Sequence, residues 1–428
     1  MIEQEIGHDR LKLRFVKPEG KISRRELLKL VLPRYEVIPF VDAALCPGKQ
    51  DCGICQDTCP LSAMMVEAGE IKVDTALCSG CGACVAACPF RAISYPTFSL
   101  ESLDEEMGRL LAENSSPSPQ PGIIVLACQH CSPVPDERRA APTLSANVLP
   151  LTIPCLAMAS PWLMLRAFDR GASGLALSGQ GKCHDGLNPG IWEQNVRFVR
   201  ELLGAWNSET QRIGIFGITG DTAGMETELE RFAGEVTGLG PTPLAESEPS
   251  TVPAEGLLLP TLIRGLRDKL GVTETGTVAA GTAPFGRLEL DCCRCIGCGL
   301  CARDCPTEAL TALLNDETGD YQLLFRHDLC VGCGRCVEVC PEDCIRLEPV
   351  LELDKLDNPA VVIFTDMMVK CRECGNTIGP RALVAGLQEK LSAMGEAMAA
   401  QFELCPECKV KAHYGYQETA PSAEGKSG

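Results

Sequence analysis

Cys295-Ile-Gly-Cys298-Gly-Leu-Cys301-Ala-Arg-Asp-Cys305-Pro306 is the stretch that decides how this chain is read. Its pattern is C-x2-C-x2-C-x3-C-P, and it recurs at Cys330, Cys333, Cys336, Cys340 and Pro341, and again at Cys78, Cys81, Cys84, Cys88 and Pro89. A fourth run, Cys46, Cys52, Cys55, Cys59 and Pro60, keeps the ending but lengthens the first gap to five residues. Three thiolates on one tight loop can hold three irons of a cubane, while the fourth reaches a neighbouring cluster. Proline in place each time makes chance repetition a poor explanation.

The runs come in two pairs, each with the layout of a bacterial two-cluster ferredoxin. Exchange of the fourth cysteine within each pair gives four [4Fe-4S] ligand sets. Cys46, Cys52, Cys55 and Cys88 form the first, and Cys78, Cys81, Cys84 and Cys59 the second. Cys295, Cys298, Cys301 and Cys340 form the third, and Cys330, Cys333, Cys336 and Cys305 the fourth. Gly80, Gly82, Gly297, Gly299, Gly332 and Gly334 let the loops wrap a cubane closely. In Cys46-Pro-Gly-Lys-Gln-Asp-Cys52 a turn at Pro47-Gly48 would return Cys46 to its site; a labile corner or a three-iron cluster is the other outcome. Cys292, Cys293 and Cys344 are left over and read as free, partly buried thiols.

The 428 residues hold 27 cysteines and a formal net charge of −18. That charge argues against nucleic acid and anionic membrane surfaces as partners. A disulfide scaffold is disfavoured, because such scaffolds are short and C-x2-C-x2-C loops bind metal. No run approaches the roughly 18 apolar residues of a membrane span. Ser23-Arg24-Arg25-Glu26-Leu27-Leu28-Lys29 has the look of a twin-arginine signal, but no apolar region or cleavage site follows it. The segment reads as a basic helix start, and the expected location is cytoplasmic.

The expected architecture is a multidomain α+β chain. Residues 1–40 precede a ferredoxin domain at 41–98, a parallel α/β domain spans 120–238, and a second ferredoxin domain spans 285–349. A two-knuckle module at 358–413 and a disordered tail at 414–428 complete it. A helix is expected at 99–111, followed by a Ser/Pro linker at 112–122. In the middle domain, short apolar runs at 123–127, 148–153, 173–177 and 213–218 read as strands. Helical spacing at 161–170, 191–206 and 225–236 alternates with them, which predicts a parallel sheet. Residues 239–254 read as a linker, 257–270 as a helix, and 273–284 as a flexible hinge.

Cys128 and Cys131 follow the first strand of that domain, Cys155 the second, and Cys183 the third. Carboxyl ends of strands in an open parallel sheet share one edge, where sites form. The residues alone leave [2Fe-2S], zinc and a disulfide pair open. Here Leu126-Ala-Cys-Gln-His-Cys131, Ile153-Pro-Cys155, Leu165-Arg-Ala-Phe-Asp-Arg-Gly-Ala-Ser-Gly-Leu-Ala-Leu177 and Gly181-Lys-Cys-His184 resemble the delta subunit of methyl-viologen-reducing hydrogenase. The resemblance covers roughly residues 120–235. It implies one [2Fe-2S] cluster held by Cys128, Cys131, Cys155 and Cys183. Where the family often has one more cysteine, this chain has Ser178. His184 lacks Rieske-type spacing, and His130 is expected near the cluster or in solvent.

Cys371-Arg-Glu-Cys374 and Cys405-Pro-Glu-Cys408 are two knuckles suited to one tetrahedral S4 site. Zinc, in a zinc-ribbon-like module, is favoured over rubredoxin-type iron, because the intervening 381–401 is Ala/Leu/Met-rich and helical rather than aromatic. Gly179-Gln-Gly181 is only a partial echo of a dinucleotide loop, and no P-loop or flavin signature occurs. The five histidines, His8, His130, His184, His327 and His413, are scattered.

The family resemblance, with the cubane motifs, implies an iron–sulfur subunit that relays single electrons. One expected partner is a heterodisulfide reductase-like flavin subunit; the other is a hydrogenase, formate dehydrogenase or NAD-linked module. A reductase of a disulfide or sulfur compound, with chemistry at the middle-domain cysteines, is the competing reading. A scaffold with structural clusters is a third.

Overall fold

The structure is a computed structural model that describes residues 2–3, 11–15, 34–48, 52–97, 99–113, 121–129, 145–179, 190–216, 222–246, 248–253, 256–273, 276–281, 283–315, 318–392 and 401–414. It divides into two compact units. One comprises Met1–Arg287, His327–Cys333 and Glu348–Asp357; the other comprises Leu288–Arg326, Gly334–Leu347 and Asn358–Gly428.

The first unit is organised by a four-stranded parallel sheet. Its strands are Ile123–Cys128, Val148–Ile153, Gly174–Ser178 and Ile213–Phe216. Ile123–Cys128 lies inside, between Val148–Ile153 and Gly174–Ser178, and Ile213–Phe216 forms an edge. All six residues of Ile123–Cys128 are buried, as expected for a strand covered on both faces. Alternation along it divides the core. Ile124 and Leu126 enter one cluster with Leu151, Phe168 and Val199. Ile123, Val125 and Ala127 enter another with Leu229, Phe232 and Val236 of helix Thr222–Leu239.

Helix Pro161–Asp169 is buried along its whole length. Ser160 caps it by accepting from the Leu163 N–H at 3.3 Å, and proline occupies the first turn, where its missing N–H costs nothing. Arg166 and Arg170 both bind Asp104 of helix Leu100–Glu113, at 2.7 and 2.8 Å from Nε to Oδ1. Asp169 accepts from Lys269 Nζ at 2.5 Å and from the Ser250 N–H at 2.9 Å. These ions tie three helices and the 248–253 segment together.

Two short antiparallel pairs precede the parallel sheet: the hairpin Met64–Glu67 with Glu70–Val73, and Phe40–Val41 with Ile93–Ser94, which brings together the two ends of the first ferredoxin unit. Helices Ile54–Thr58 and Ala83–Ala87 lie between their strands. The flexible hinge expected at 273–284 is partly strand instead. Thr277–Ala279 pairs antiparallel with Val350–Glu352, and Val278 is buried. Its partner lies some seventy positions away, so local composition gave no sign of it.

In the second unit, Leu310–Asn315, Asp320–Phe325, Val361–Lys370 and Thr377–Pro380 form one antiparallel sheet in that order. The hairpin of the ferredoxin repeat and the first half of the knuckle module therefore share a sheet, with Leu323 opposite Phe364. Helix Arg381–Ser392 follows, and Pro406–Tyr414 is the last helix. Among the described residues, no helix is long and apolar enough to cross a membrane. The twin-arginine stretch and the tail beyond Tyr414 lie outside the described residues.

Candidate iron–sulfur sites

The cysteines of the first three ligand sets converge in space. Burial pushes the Cys55 thiol up to about 12, helped by the nearby charges of Cys88, Cys52 and Cys46. The five-residue insertion therefore still returns Cys46 to this group. Burial likewise raises Cys84 well above the ordinary range, with Cys81, Cys78, Cys55 and Cys59 adding to it. In the second unit, burial and then Cys298, Cys295 and Cys340 push Cys301 to about 12. Four thiolates crowded this way repel one another and resist ionisation unless cations sit between them. Iron supplies that charge, so the donor sets fit cubanes.

Backbone N–H groups aim at the sulfurs in each repeat, two residues after the first cysteine of a run or four to five after the last. Ala63 donates to Cys59 Sγ at 3.2 Å, Gly80 to Cys78 at 3.4 Å and Ala92 to Cys88 at 3.3 Å. Gly297 donates to Cys295 and Leu310 to Cys305, both at 3.4 Å. Such bonds stabilise ligand thiolates and tune clusters.

Two glycines are dictated by space as well as by backbone angle. Gly82 has φ +79°, and a Cβ there would meet Tyr95 Oη at 2.9 Å and Met158 Sδ at 3.1 Å. Gly297 has φ +67°, and a Cβ would meet Phe364 Cε1 at 2.9 Å.

The fourth set is divided between the units, with Cys330 and Cys333 in the first and Cys305 and Cys336 in the second. Within the first unit, Cys333 lies close enough to Cys52 for its charge to help raise that thiol, after burial.

In the parallel-sheet domain, Cys128 ends its strand and Cys155 follows the next, both buried. The Cys128 thiol donates to the Pro154 carbonyl at 3.6 Å. A Cβ on Gly179, just past the third strand, would lie 3.3 Å from Cys128 Cβ. The carboxyl ends of three strands thus meet at one edge. Ser178 is fully buried there. Cys131, Cys183, His130 and His184 lie outside the described residues.

Cys81, of the second cubane loop, packs on a buried cluster of Cys155, Ala83 and Ala157. Tyr95 stands beside this contact. Its hydroxyl donates to the Gly80 carbonyl at 2.8 Å, and burial, then Cys84, Cys81, Cys78 and Cys155, push its pKa up. Sequence reading did not single out Tyr95; its aromatic ring so soon after Cys88-Pro89 was the available signal.

At the knuckles, one ligand atom from each of Cys371, Cys374, Cys405 and Cys408 lies within 4.8 Å of the others. Burial opposes ionisation of Cys371, yet backbone N–H groups of Cys405, Cys374 and Glu373 hold its thiol down to about 6. A compact S4 set with one thiol so disposed fits a tetrahedral metal.

The leftover cysteines divide. Cys292 and Cys293 are exposed, not partly buried as expected, because they precede the loop on its outer side. Cys344 is buried, with its sulfur 3.4 Å from Cys340 Sγ. His327 is also buried and has a structural part. Its Nε2 accepts from the Glu352 N–H at 2.9 Å, and burial lowers its pKa.

Residues 123–240 match the family profile described as methyl-viologen-reducing hydrogenase, delta subunit. The parallel-sheet domain is delta-subunit-like. Residues 71–94 match a 4Fe-4S binding domain, and residues 289–347 a 4Fe-4S dicluster domain. The run with the lengthened Cys46 to Cys52 gap falls outside the first of these matches. No curated protein matches this chain. A delta-subunit-like domain flanked by ferredoxin 4Fe-4S domains is an arrangement similar to the iron–sulfur electron-transfer subunits of hydrogenases.

Proposed function

We propose that this chain is a wire that carries single electrons between two oxidoreductase partners, entering or leaving through the delta-subunit domain. One [2Fe-2S] cluster would be held by Cys128, Cys131, Cys155 and Cys183. Four [4Fe-4S] clusters would take the four ligand sets assigned above, and one zinc would take Cys371, Cys374, Cys405 and Cys408. Zinc is redox-silent, so the knuckles of the zinc-ribbon-like module would serve structure or docking.

The observation that supports this reading most is the packing of Cys81 on the buried cluster that contains Cys155. Electron tunnelling falls steeply with distance, and sites whose ligands border one buried cluster are natural neighbours in a path. Cys84 feels Cys55, and Cys52 feels Cys333. The order suggested is middle site, second cubane, first cubane, then the Cys333 loop. A heterodisulfide reductase-like flavin subunit at one end, and a hydrogenase, formate dehydrogenase or NAD-linked module at the other, is the partner set in keeping with the family.

The competing reductase reading needs a middle-domain thiol that a substrate can reach. Cys128 and Cys155 are only 2% and 5% exposed, which favours ligation over attack on a substrate. Anaerobic isolation of the native complex tests the proposal, with mass spectrometry of its subunits and a redox titration followed by electron paramagnetic resonance. A flavin subunit and a second oxidoreductase, with reducible signals of both cluster types, are expected. A lone chain that itself consumes a sulfur substrate would overturn it.

A further inference from the structure

The four cysteine runs share a turn after their last cysteine. Three residues on, Ser62, Arg91, Glu308 and Asp343 all adopt positive φ, between 45° and 55°. This kink turns the next residue back toward the sulfur just passed. In three runs that next residue is alanine: Ala63, Ala92 and Ala309, all buried. In the fourth it is Cys344. A thiol thus occupies the place where the other runs allow only a methyl group.

The consequences are visible within the second unit. Cys344 Sγ lies 3.4 Å from Cys340 Sγ, and the Cys344 N–H points at the same sulfur at 3.4 Å. Cys344 also lies near Cys295, close enough for each to influence the other's charge. Its carbonyl accepts from the Asp291 N–H at 2.9 Å, which fixes the backbone. One cavity is lined by Cys295, Cys298, Cys301, Cys340 and Cys344 together. The third site therefore has five thiols for a cluster that needs four.

We infer that Cys344 is a reserve ligand of the third site, able to bind cubane iron in the place of Cys340. The exchange balances without a redox step. The iron–sulfur bond to Cys340 gives way to one to Cys344, and the Cys344 proton passes to Cys340 across their contact. A buried second thiol at one corner lets the site survive loss of its most remote ligand, the only one of the four contributed by the other run. The inference rests on the reading that Cys295, Cys298, Cys301 and Cys340 hold a cubane.

The test uses full-length chains made anaerobically, with iron and acid-labile sulfide counted per chain and the reduced spectrum recorded. Cys344→Ala is expected to keep the native iron content. Cys340→Ala is expected to keep it too, with an altered spectrum, whereas Cys340→Ala combined with Cys344→Ala loses at least one iron, leaving a three-iron cluster on Cys295, Cys298 and Cys301 or none, and with it the four-iron spectrum of this site. Cys340→Ser, closer in shape, repeats the comparison in a chain less prone to misfold. Loss of as much iron from both Cys340 single variants as from the double variant would overturn the inference. A chain with Cys295→Ala, Cys298→Ala and Cys301→Ala together tests the underlying reading separately, since only two thiols then remain at the site and an unchanged iron content would mean that no cubane occupies it at all.

Discussion

Cys81, in the second cubane loop, is partly buried and packs on the buried cluster that holds Cys155, which follows a strand end of the delta-subunit-like domain. The two residues are 74 positions apart, and each is assigned to a different kind of cluster. This packing places the two candidate sites side by side, as the proposed wire requires. It also explains why small residues line it, Ala83 and Ala157 among them. Bulk there would separate the two sites.

Gly82 is where that closeness can be broken most sharply. A side chain would carry the cost of positive φ, about 1–2 kcal/mol, and would strike Tyr95 and Met158. Gly82→Val should therefore lower iron content by up to about four per chain. Gly240 also has positive φ (+74°), but a Cβ there meets nothing within 4 Å. Gly240→Ala should cost only the backbone strain and leave iron unchanged. Iron analysis of the two variants decides it; equal loss would show that space around Gly82 is irrelevant.

Tyr95 anchors the second loop through its bond to the Gly80 carbonyl. Tyr95→Phe keeps the ring and leaves that buried carbonyl short of a donor. The expected destabilisation is about 1–3 kcal/mol. Anaerobic urea unfolding of the loaded chain measures it, and an unchanged midpoint would contradict the role given to the hydroxyl.

Asp104 is expected to govern part of the acid sensitivity of the first unit. Burial alone would raise its carboxyl, but Arg170 and Arg166 outweigh that and hold it below the usual range. A depressed folded pKa means stability that is full above the unfolded value near about 4 and is lost as pH falls through the folded one. Asp104→Asn removes one of the two carboxylates paired with buried Arg166 and leaves Asp169, so the cost should stay below the about 3–5 kcal/mol of a wholly unpaired buried charge. The gap between native and variant stabilities should be constant from about pH 8 to 5 and narrow below about pH 4. A gap that widens in acid would show the sign to be wrong.

Cys405→Ser should remove one zinc per chain and leave iron, sulfide and every reducible signal in place. Elemental analysis beside a redox titration reads both. Loss of an iron, with loss of a redox signal, would assign rubredoxin-type chemistry to the knuckles instead.

The candidate ligands were legible because a cubane loop is local: spacing and proline alone single out Cys295 and its fellows. The parallel sheet was legible for a related reason, since apolar runs such as 123–127 end where helical spacing begins. What stayed hidden depends on distant partners. Nothing near Thr277–Ala279 announces its pairing with Val350–Glu352, and nothing near Val361–Lys370 announces a sheet shared with a ferredoxin hairpin. The Asp104 to Arg166 pair and the position of Tyr95 are hidden in the same way. Cys344 was visible as a leftover, but its place beside Cys340 depends on the backbone kink at Asp343.

The most direct test of the wire is spin relaxation at the middle site during stepwise reduction. The account predicts a [2Fe-2S] signal that relaxes faster and broadens as the second cubane is reduced, and that loses this response in Cys81→Ser. A middle-site signal with the same line shape and relaxation in the native and Cys81→Ser chains, at every potential, would contradict it.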